Sequence, residues 1–486
     1  MTDNTIFLGK SDTPQVLYLP MTNRHGLVTG ATGTGKTVTL QVIAEGLSAA
    51  GVPVFAADIK GDLSGLSVKG SQVDFLVERA KQVGLDPYEN DSSPTIFWDL
   101  FGEQGHPIRT TVTEMGPLML SRLMGLTGAQ EGALNIAFKL ADKEGHALLD
   151  LKDLRALLKN LADRGKDITT EYGNVTAPTI GAIQRQLVVL EEQGGDKFFG
   201  EPALDIRDFM RTSRDGKGYV NIIAADKLIS SPQLYATFLL WLMSELFEKL
   251  PEVGDPEKPR LVFFFDEAHL LFTDAPPGLL QKIEQTVKLI RSKGVGIYFV
   301  TQNPLDIPDS VLSQLGNRVQ HALRAYTPRD QKAVKTAATT FRPNPKFDTE
   351  KVITELGKGE ALVSVLDLKG VPTMVERTLI RPPSGQLGPI TPAQRMAIMA
   401  ASPVSGAYDT PVDRESAYEI LQKKAGQQAA VQQQAAQDKA IAKTASAAQR
   451  GRETATDRFV KNAAGSIGRT LGNALVRGIL GGLMRR

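Results

Sequence analysis

Cysteine is absent from all 486 residues, which removes disulfides, thiolate metal sites and cysteine nucleophiles together and fits a reducing compartment. Long apolar runs are missing too. No stretch approaches the ~20 consecutive apolar residues of a membrane-spanning helix, and the opening MTDNTIFLGKSDTP lacks the basic start and apolar core of a leader. The expectation is therefore a cytoplasmic protein. Charge of one sign is scarce in excess: 56 basic against 54 acidic side chains leave a formal +2. That excludes the broad positive field of a protein that coats DNA, so any nucleic-acid contact has to be local. No internal repeat is evident. What remains is ordinary globular material, 42% hydrophobic and 23% charged, long enough for one elaborated domain or two.

From Val16 to about Leu100, apolar runs of strand length alternate with amphipathic segments of helix length, the pattern of βαβ units and a parallel sheet. Gly26-Leu27-Val28-Thr29 ends a first strand, Lys36 to Ala50 reads as a helix, and Val52 to Ala57 as a second strand. Between about Ile108 and Arg214 the periodicity becomes helical, as in Leu148, Leu151, Leu154, Leu157, Leu158 and Leu161. Strand-like runs return at Tyr219–Ala224, Leu261–Phe265, Gly296–Thr301, Val319–Ala325 and Ala361–Leu366, with a helix from about Pro232 to Leu250. The reading is an α/β fold with a mostly parallel sheet, its core split between 1–107 and 215–385 around a helical insertion at 108–214. A C-terminal extension follows at 386–486.

Within that extension, Ala425 to Gln449 is rich in alanine and glutamine and has little to bury, so it reads as a linker, solvated helix or coil. After Asp457 there is no acidic residue, and Ile467, Leu471, Leu475, Ile479 and Leu483 recur every four positions beside Arg469 and Arg477. This basic, glycine-containing end suits docking on its own protein or a second copy. Glycines and arginines interrupt the stripe, which disfavours a membrane surface.

The strongest local pattern is Gly30-Ala31-Thr32-Gly33-Thr34-Gly35-Lys36-Thr37, the G-x-x-x-x-G-K-[ST] phosphate loop (Walker A), placed between a strand and a helix. Glycines let successive N–H groups point inward at phosphate oxygens, and the following helix aims its positive end at the same spot. Lys36 would reach the β- and γ-phosphates of ATP, and the Thr37 hydroxyl would ligate Mg²⁺.

Leu261-Val262-Phe263-Phe264-Phe265 is a strand apolar on both faces, ending in Asp266-Glu267-Ala268-His269 (Walker B). Asp266 is the expected second Mg²⁺ group and Glu267 the residue that orients or deprotonates the attacking water. His269 reads as packing or support. Gln302, at the end of the run 296–301, is placed by strand topology at the ligand crevice as a γ-phosphate or water contact. Asp58-Ile59-Lys60-Gly61-Asp62, after the second strand, is left open between service to this site and structural ion pairing. Acids from Asp142 to Asp153 have calcium-loop spacing, but Ala147 stands where that loop needs glycine and Asp153 where it needs glutamate. The segment reads as a turn between helices.

With these pieces in order the sequence resembles the HerA/FtsK superfamily of P-loop ATPases, and specifically the bacterial helicase HerA-like ATPases. The resemblance is carried by Gly30 to Thr37, Asp58 to Asp62, Phe265 to His269, Arg291 to Gly296, Thr301-Gln302-Asn303-Pro304 and Leu312 to Arg324. It implies a RecA-like core, ATP with Mg²⁺, and a homo-oligomeric, hexameric ring whose sites are completed by a neighbour's arginine. Arg324 is the first candidate for that finger and Arg318 the second. Only 29 residues precede Gly30, too few for the N-terminal β-barrel of HerA proteins, and the DNA-reading domain of FtsK translocases is not visible. The function expected is an ATP-hydrolysing motor, helicase-like or translocating, on nucleic acid such as DNA. The alternative is an ATPase switch that remodels or recruits a protein partner through the insertion or the tail.

Overall fold

The computed structural model describes residues 4–165, 171–173, 175–228, 231–273 and 277–450. Its centre is a 12-stranded sheet in the order β2-β1-β12-β11-β10-β3-β9-β8-β4-β7-β5-β6. The strands are β1 (Thr5–Lys10), β2 (Pro14–Tyr18), β3 (Gly26–Thr29), β4 (Val54–Asp58), β5 (Thr95–Asp99) and β6 (His106–Pro107). They continue with β7 (Val220–Ala224), β8 (Leu261–Phe265), β9 (Val295–Thr301), β10 (Asn317–Gln320), β11 (Glu360–Ser364) and β12 (Glu376–Ile380). From β10 through β6 neighbouring strands run parallel. From β10 to β2 they run antiparallel.

The central strands are apolar throughout because both faces are covered. Successive side chains alternate between two cores. On one face Val28, Ala56, Val262, Phe264 and Val300 pack with Leu40, Ile43 and Leu47 of the helix Lys36–Ala49. On the other face Phe55, Phe263, Phe265 and Phe299 form a chain of rings with centroids 4.9–5.7 Å apart, which Phe209 and Phe272 extend.

The helices Val112–Leu123, Gly128–Glu144, Leu151–Asp163 and Ala177–Glu192 occupy the middle of the chain, and the expected leucines of the third are buried. Asp153, at the rejected calcium-loop position, is itself buried and accepts from the Leu149 and Tyr418 N–H groups and the Ser416 hydroxyl. It is a structural acceptor.

Three features differ from the sequence reading. β1, β2 and β12 form an antiparallel flank that composition did not signal. The run expected as a strand over Val319–Ala325 leaves the sheet after Gln320, because its backbone serves the phosphate loop: the Ala31 N–H donates to the Ala322 carbonyl at 2.8 Å. Residues 386–418, assigned from composition to the extension, belong with the preceding chain in one compact unit, 1–418. The Gln386 N–H donates to the Gly65 and Val68 carbonyls, and the Ile390 N–H to the Ser64 hydroxyl. The helix Ala417–Arg450 then enters a second unit, and every position from 422 to 443 is exposed, as a polar Ala/Gln-rich helix with nothing to bury requires. The basic end at 467–486 lies outside the described residues, as does everything past 450.

Candidate functional site

β3 ends at the glycine loop, and the first turn of Lys36–Ala49 begins where the loop closes. The loop's glycines sit at φ 151° (Gly30), 78° (Gly33) and 117° (Gly35). The positive end of the helix Lys36–Ala49 faces the loop, as anion binding requires. Lys36 is buried and folds back along the loop, its Nζ donating to the carbonyls of Gly30 (2.6 Å) and Ala31 (3.1 Å). Burial pulls its ammonium below the ordinary lysine range, while Glu267 and Asp266 oppose that pull. Lys36 and the two acids therefore share one electrostatic neighbourhood. Thr37 is half-buried on the same first turn.

His321 braces the loop from behind. Its fully buried imidazole sits with Nδ1 2.8 Å from the Glu360 carbonyl and Nε2 2.8 Å from the Thr39 hydroxyl. This pairing calls for a neutral ring that donates from Nδ1 and accepts at Nε2. Burial lowers its pKa to about 4, which keeps it so near neutrality. A Cβ built on Gly30 would stand 2.5 Å from the His321 Cβ, so the first glycine is demanded by packing as well as by backbone conformation.

β8 delivers Asp266 and Glu267 beside this loop. Glu267 is one of two non-glycine residues with positive φ among the described residues, at φ 48°, ψ 48°. Bulky residues rarely hold this left-handed conformation, and it concentrates at functional sites. Its buried carboxylate takes a 2.7 Å ion pair from Lys60 and lies 3.3–3.4 Å from the Gln302 amide nitrogen, with the His269 Nδ1 at 3.5 Å. Burial pushes the Glu267 carboxyl up, and Lys60 and Gln302 more than offset it, leaving it below the usual range. The Gln302 carbonyl oxygen accepts in turn from the Thr32 hydroxyl at 3.2 Å. A chain of polar contacts thus runs from the glycine loop through Gln302 and Glu267 to Lys60.

The open question about Asp58 to Asp62 is divided by residue. Lys60 serves Glu267. Asp58 is buried and caps its own turn, accepting from the Gly61 (2.8 Å) and Leu63 (3.0 Å) N–H groups. Burial and the nearby Asp266 push its pKa up to about 7, and burial with Glu267 pushes Asp266 up to about 6. Asp266 and the Thr37 hydroxyl are the groups here that could hold a hard divalent cation.

A cavity of about 660 Å³ opens beside the first half of the loop, lined by Ala31, Thr32, His269, Gln302, Arg324 and Asp330 among others. Arg324 is exposed at this cavity, on the loop of its own chain, its guanidinium 3.5 Å from the Tyr326 hydroxyl. Arg318 is placed differently: it donates to the carbonyls of Leu312, Leu315 and Thr340 and is held inside the fold. Arg291 pairs with Asp255 at 2.9 Å.

Sequence reasoning missed the brace at His321 and an arginine from far along the chain. Arg395, on the helix Pro392–Ala400, lies 4.3 Å over the Phe97 ring and lines a small cavity with Asp58, Lys60 and Asp226. No local pattern marks either residue.

A strand, glycine loop and helix facing an acidic strand end within a mostly parallel sheet define a P-loop α/β protein. The chain belongs to the helicase HerA-like C-terminal family, whose model matches residues 3–486. Among curated proteins none matches it. Solved structures similar to it include the bacterial conjugative coupling protein TrwBdeltaN70 (16% identity, 80% of this chain and 91% of that chain, TM-score 0.48). VirB4 of Thermoanaerobacter pseudethanolicus (15%, 80% and 98%, 0.48) and TrwB in complex with ADP and Mg²⁺ (16%, 78% and 91%, 0.45) are others. No helix among the described residues is long and apolar enough to cross a membrane.

Proposed function

We propose that this chain binds ATP with Mg²⁺, hydrolyses it, and works as a ring-forming motor on nucleic acid. The observation that carries the hydrolytic part is Glu267: an acid held in a strained backbone conformation, paired to Lys60 and linked through Gln302 to Thr32 of the glycine loop. In this reading the loop N–H groups and Lys36 hold the β- and γ-phosphates. Thr37 and Asp266 hold Mg²⁺, which when bound offsets charge on the phosphate oxygens. Glu267 orients the attacking water and accepts its proton. Gln302 reports the presence of the γ-phosphate by exchanging its contact with Glu267 or Thr32, and Arg324 stands at the mouth of the same site to meet charge developing on the transferred group. Arg318, tied to three carbonyls, is assigned to the fold.

The nucleic-acid part and the hexameric ring rest on the family, whose model is named for a helicase. The test is steady-state ATP hydrolysis at two salt concentrations, with and without single- and double-stranded DNA, with Lys36→Ala and Glu267→Gln as controls. Hydrolysis that needs both residues and rises several-fold with DNA at low salt supports the motor. Hydrolysis indifferent to DNA replaces it with a switch acting on a protein partner, and no hydrolysis by the intact protein removes both.

A further inference from the structure

The glycine loop is flanked by two cavities. The polar one, with Gln302 and Arg324, touches the loop's first half. The second, of about 620 Å³, touches its end at Gly35 and the first helical turn at Val38. It lies toward the antiparallel flank, where the carboxyl end of β12 (Ile380) and the loop before β11 (Lys358, Gly359) reach the same edge of the sheet. Its walls are mostly apolar: Val38, Phe75, Leu76, Ile380, Pro382 and Leu387.

The walls of this second cavity are fixed in place. Arg79 donates to the carbonyls of Gly359 (2.9 Å) and Lys358 (3.3 Å), clamping that loop to the helix Asp74–Val83. The Gly359 N–H donates to the Thr34 carbonyl at 2.9 Å, joining it to the glycine loop. A Cβ on Gly35 would stand 3.3 Å from the Gly359 Cα, so the two loops touch. On the rim Phe75 is 62% exposed, a large aromatic ring placed in water on the first turn of its helix.

We propose that this cavity takes the base and ribose of the bound nucleotide, with Phe75 as the stacking platform. The inference rests on the phosphate-loop reading and deepens it. A triphosphate in the loop has a reacting end and a nucleoside end. Glu267 and Gln302 fix the reacting end on the side of the polar cavity, so the nucleoside leaves on the other side, past Gly35 and Val38. A planar heteroaromatic group there is sandwiched between an exposed ring and apolar side chains, which is how sequence-tolerant base binding gains its affinity. Phe75 and the Pro382 wall are then base-binding contacts that no motif records.

The test compares Mg–ATP with Mg–tripolyphosphate by titration calorimetry on the full chain, for wild type, Phe75→Ala and Lys36→Ala, and maps the photolabel left by 8-azido-ATP. Expected are an approximately tenfold loss of ATP affinity in Phe75→Ala, unchanged tripolyphosphate binding, and label within 72–83 or 380–387. Unchanged ATP affinity in Phe75→Ala overturns the proposal, as does label on the 302–333 side. Wild type binding tripolyphosphate as tightly as ATP overturns it while sparing the phosphate site. If wild type binds neither ligand, or Lys36→Ala leaves both affinities intact, the phosphate-loop reading falls and the base site falls with it.

Discussion

Replacing Glu267 by glycine and by alanine separates the strain of its backbone from the chemistry of its carboxylate. Both variants lose the ion pair to Lys60 and the contact with Gln302, so that loss cancels between them. They differ in the cost of φ 48°, ψ 48°. A residue with a Cβ gives up ~1–2 kcal/mol there. Glycine has no such cost but carries ~0.5–1 kcal/mol more unfolded-chain entropy. The glycine variant should therefore be more stable than the alanine variant by about 0.5–1 kcal/mol, a difference in Tm of roughly 1 °C for a unit of this size. Replicate scanning calorimetry resolves that shift. Hydrolysis should fall ~10²–10⁴-fold in both, the range of a lost general base. An alanine variant as stable as the glycine variant would refute the idea that the fold strains this residue, and hydrolysis surviving in either would refute its role as the base.

Other substitutions probe the surroundings of that residue. Lys60→Met removes the cation facing Glu267. A hydrogen bond to a charged group is worth ~1.5–3 kcal/mol, and with the Lys60 side chain 46% exposed the solvent-screened share is about 1 kcal/mol. The expected outcome is a roughly fivefold lower kcat with ATP affinity held within twofold; an unchanged kcat counts against the pair. Gly30→Ala drives a Cβ to 2.5 Å from the His321 Cβ, whereas a Cβ on Gly33 meets nothing within 4 Å. Nucleotide binding should therefore fall at least tenfold in Gly30→Ala, and Gly33→Ala should cost only the ~1 kcal/mol of left-handed backbone; equal losses would show that the brace is not in contact. Burial holds His25 and His321 at about 4 against an ordinary 6.5. Because the folded value is the lower one, the unfolded chain takes up protons first. The stability these rings contribute is complete above pH 6.5 and declines as pH falls to 4, by up to ~1.4 kcal/mol per pH unit for each ring. Imidazole NMR should show both rings neutral at pH 5.5, with the His321 proton on Nδ1; a ring titrating near 6.5 contradicts the burial argument.

What the sequence disclosed follows from the range of the interactions involved. The glycine loop, the acidic end of β8 and the amide ending β9 are each written within eight residues, and strands apolar on both faces announce a covered parallel sheet. Their convergence follows from topology, since parallel strands end at one edge. The antiparallel flank had no such signature: β1 pairs with β12 across most of the chain, and β1 leads straight into β2 with no helix between them. The Lys60–Glu267 pair spans 207 positions, and Arg395 reaches its aspartates from far along the chain. A charged residue that acts at long range looks locally like any other surface charge. The strand expected past Gln320 was misread for a related reason. Its residues carry strand-like apolarity, but their backbone groups are claimed by the glycine loop and by Ile353, a demand that propensity does not register.

The spacing of the glycines in the phosphate loop has two causes in this fold. Close approach of backbone N–H groups to phosphate explains why the loop curls, but it does not explain which positions tolerate no side chain. Gly30 faces the buried ring of His321, and Gly35 faces Gly359, which Arg79 clamps from the neighbouring helix. Gly33 faces open space and needs only its φ of 78°. The loop is thus held from behind by β10 and from the side by the start of β11, both of which belong to the half of the sheet that turns antiparallel. That half contributes none of the acids or amides of the reacting end. Its part is to preorganise the loop, so that binding phosphate does not first have to order the backbone that receives it.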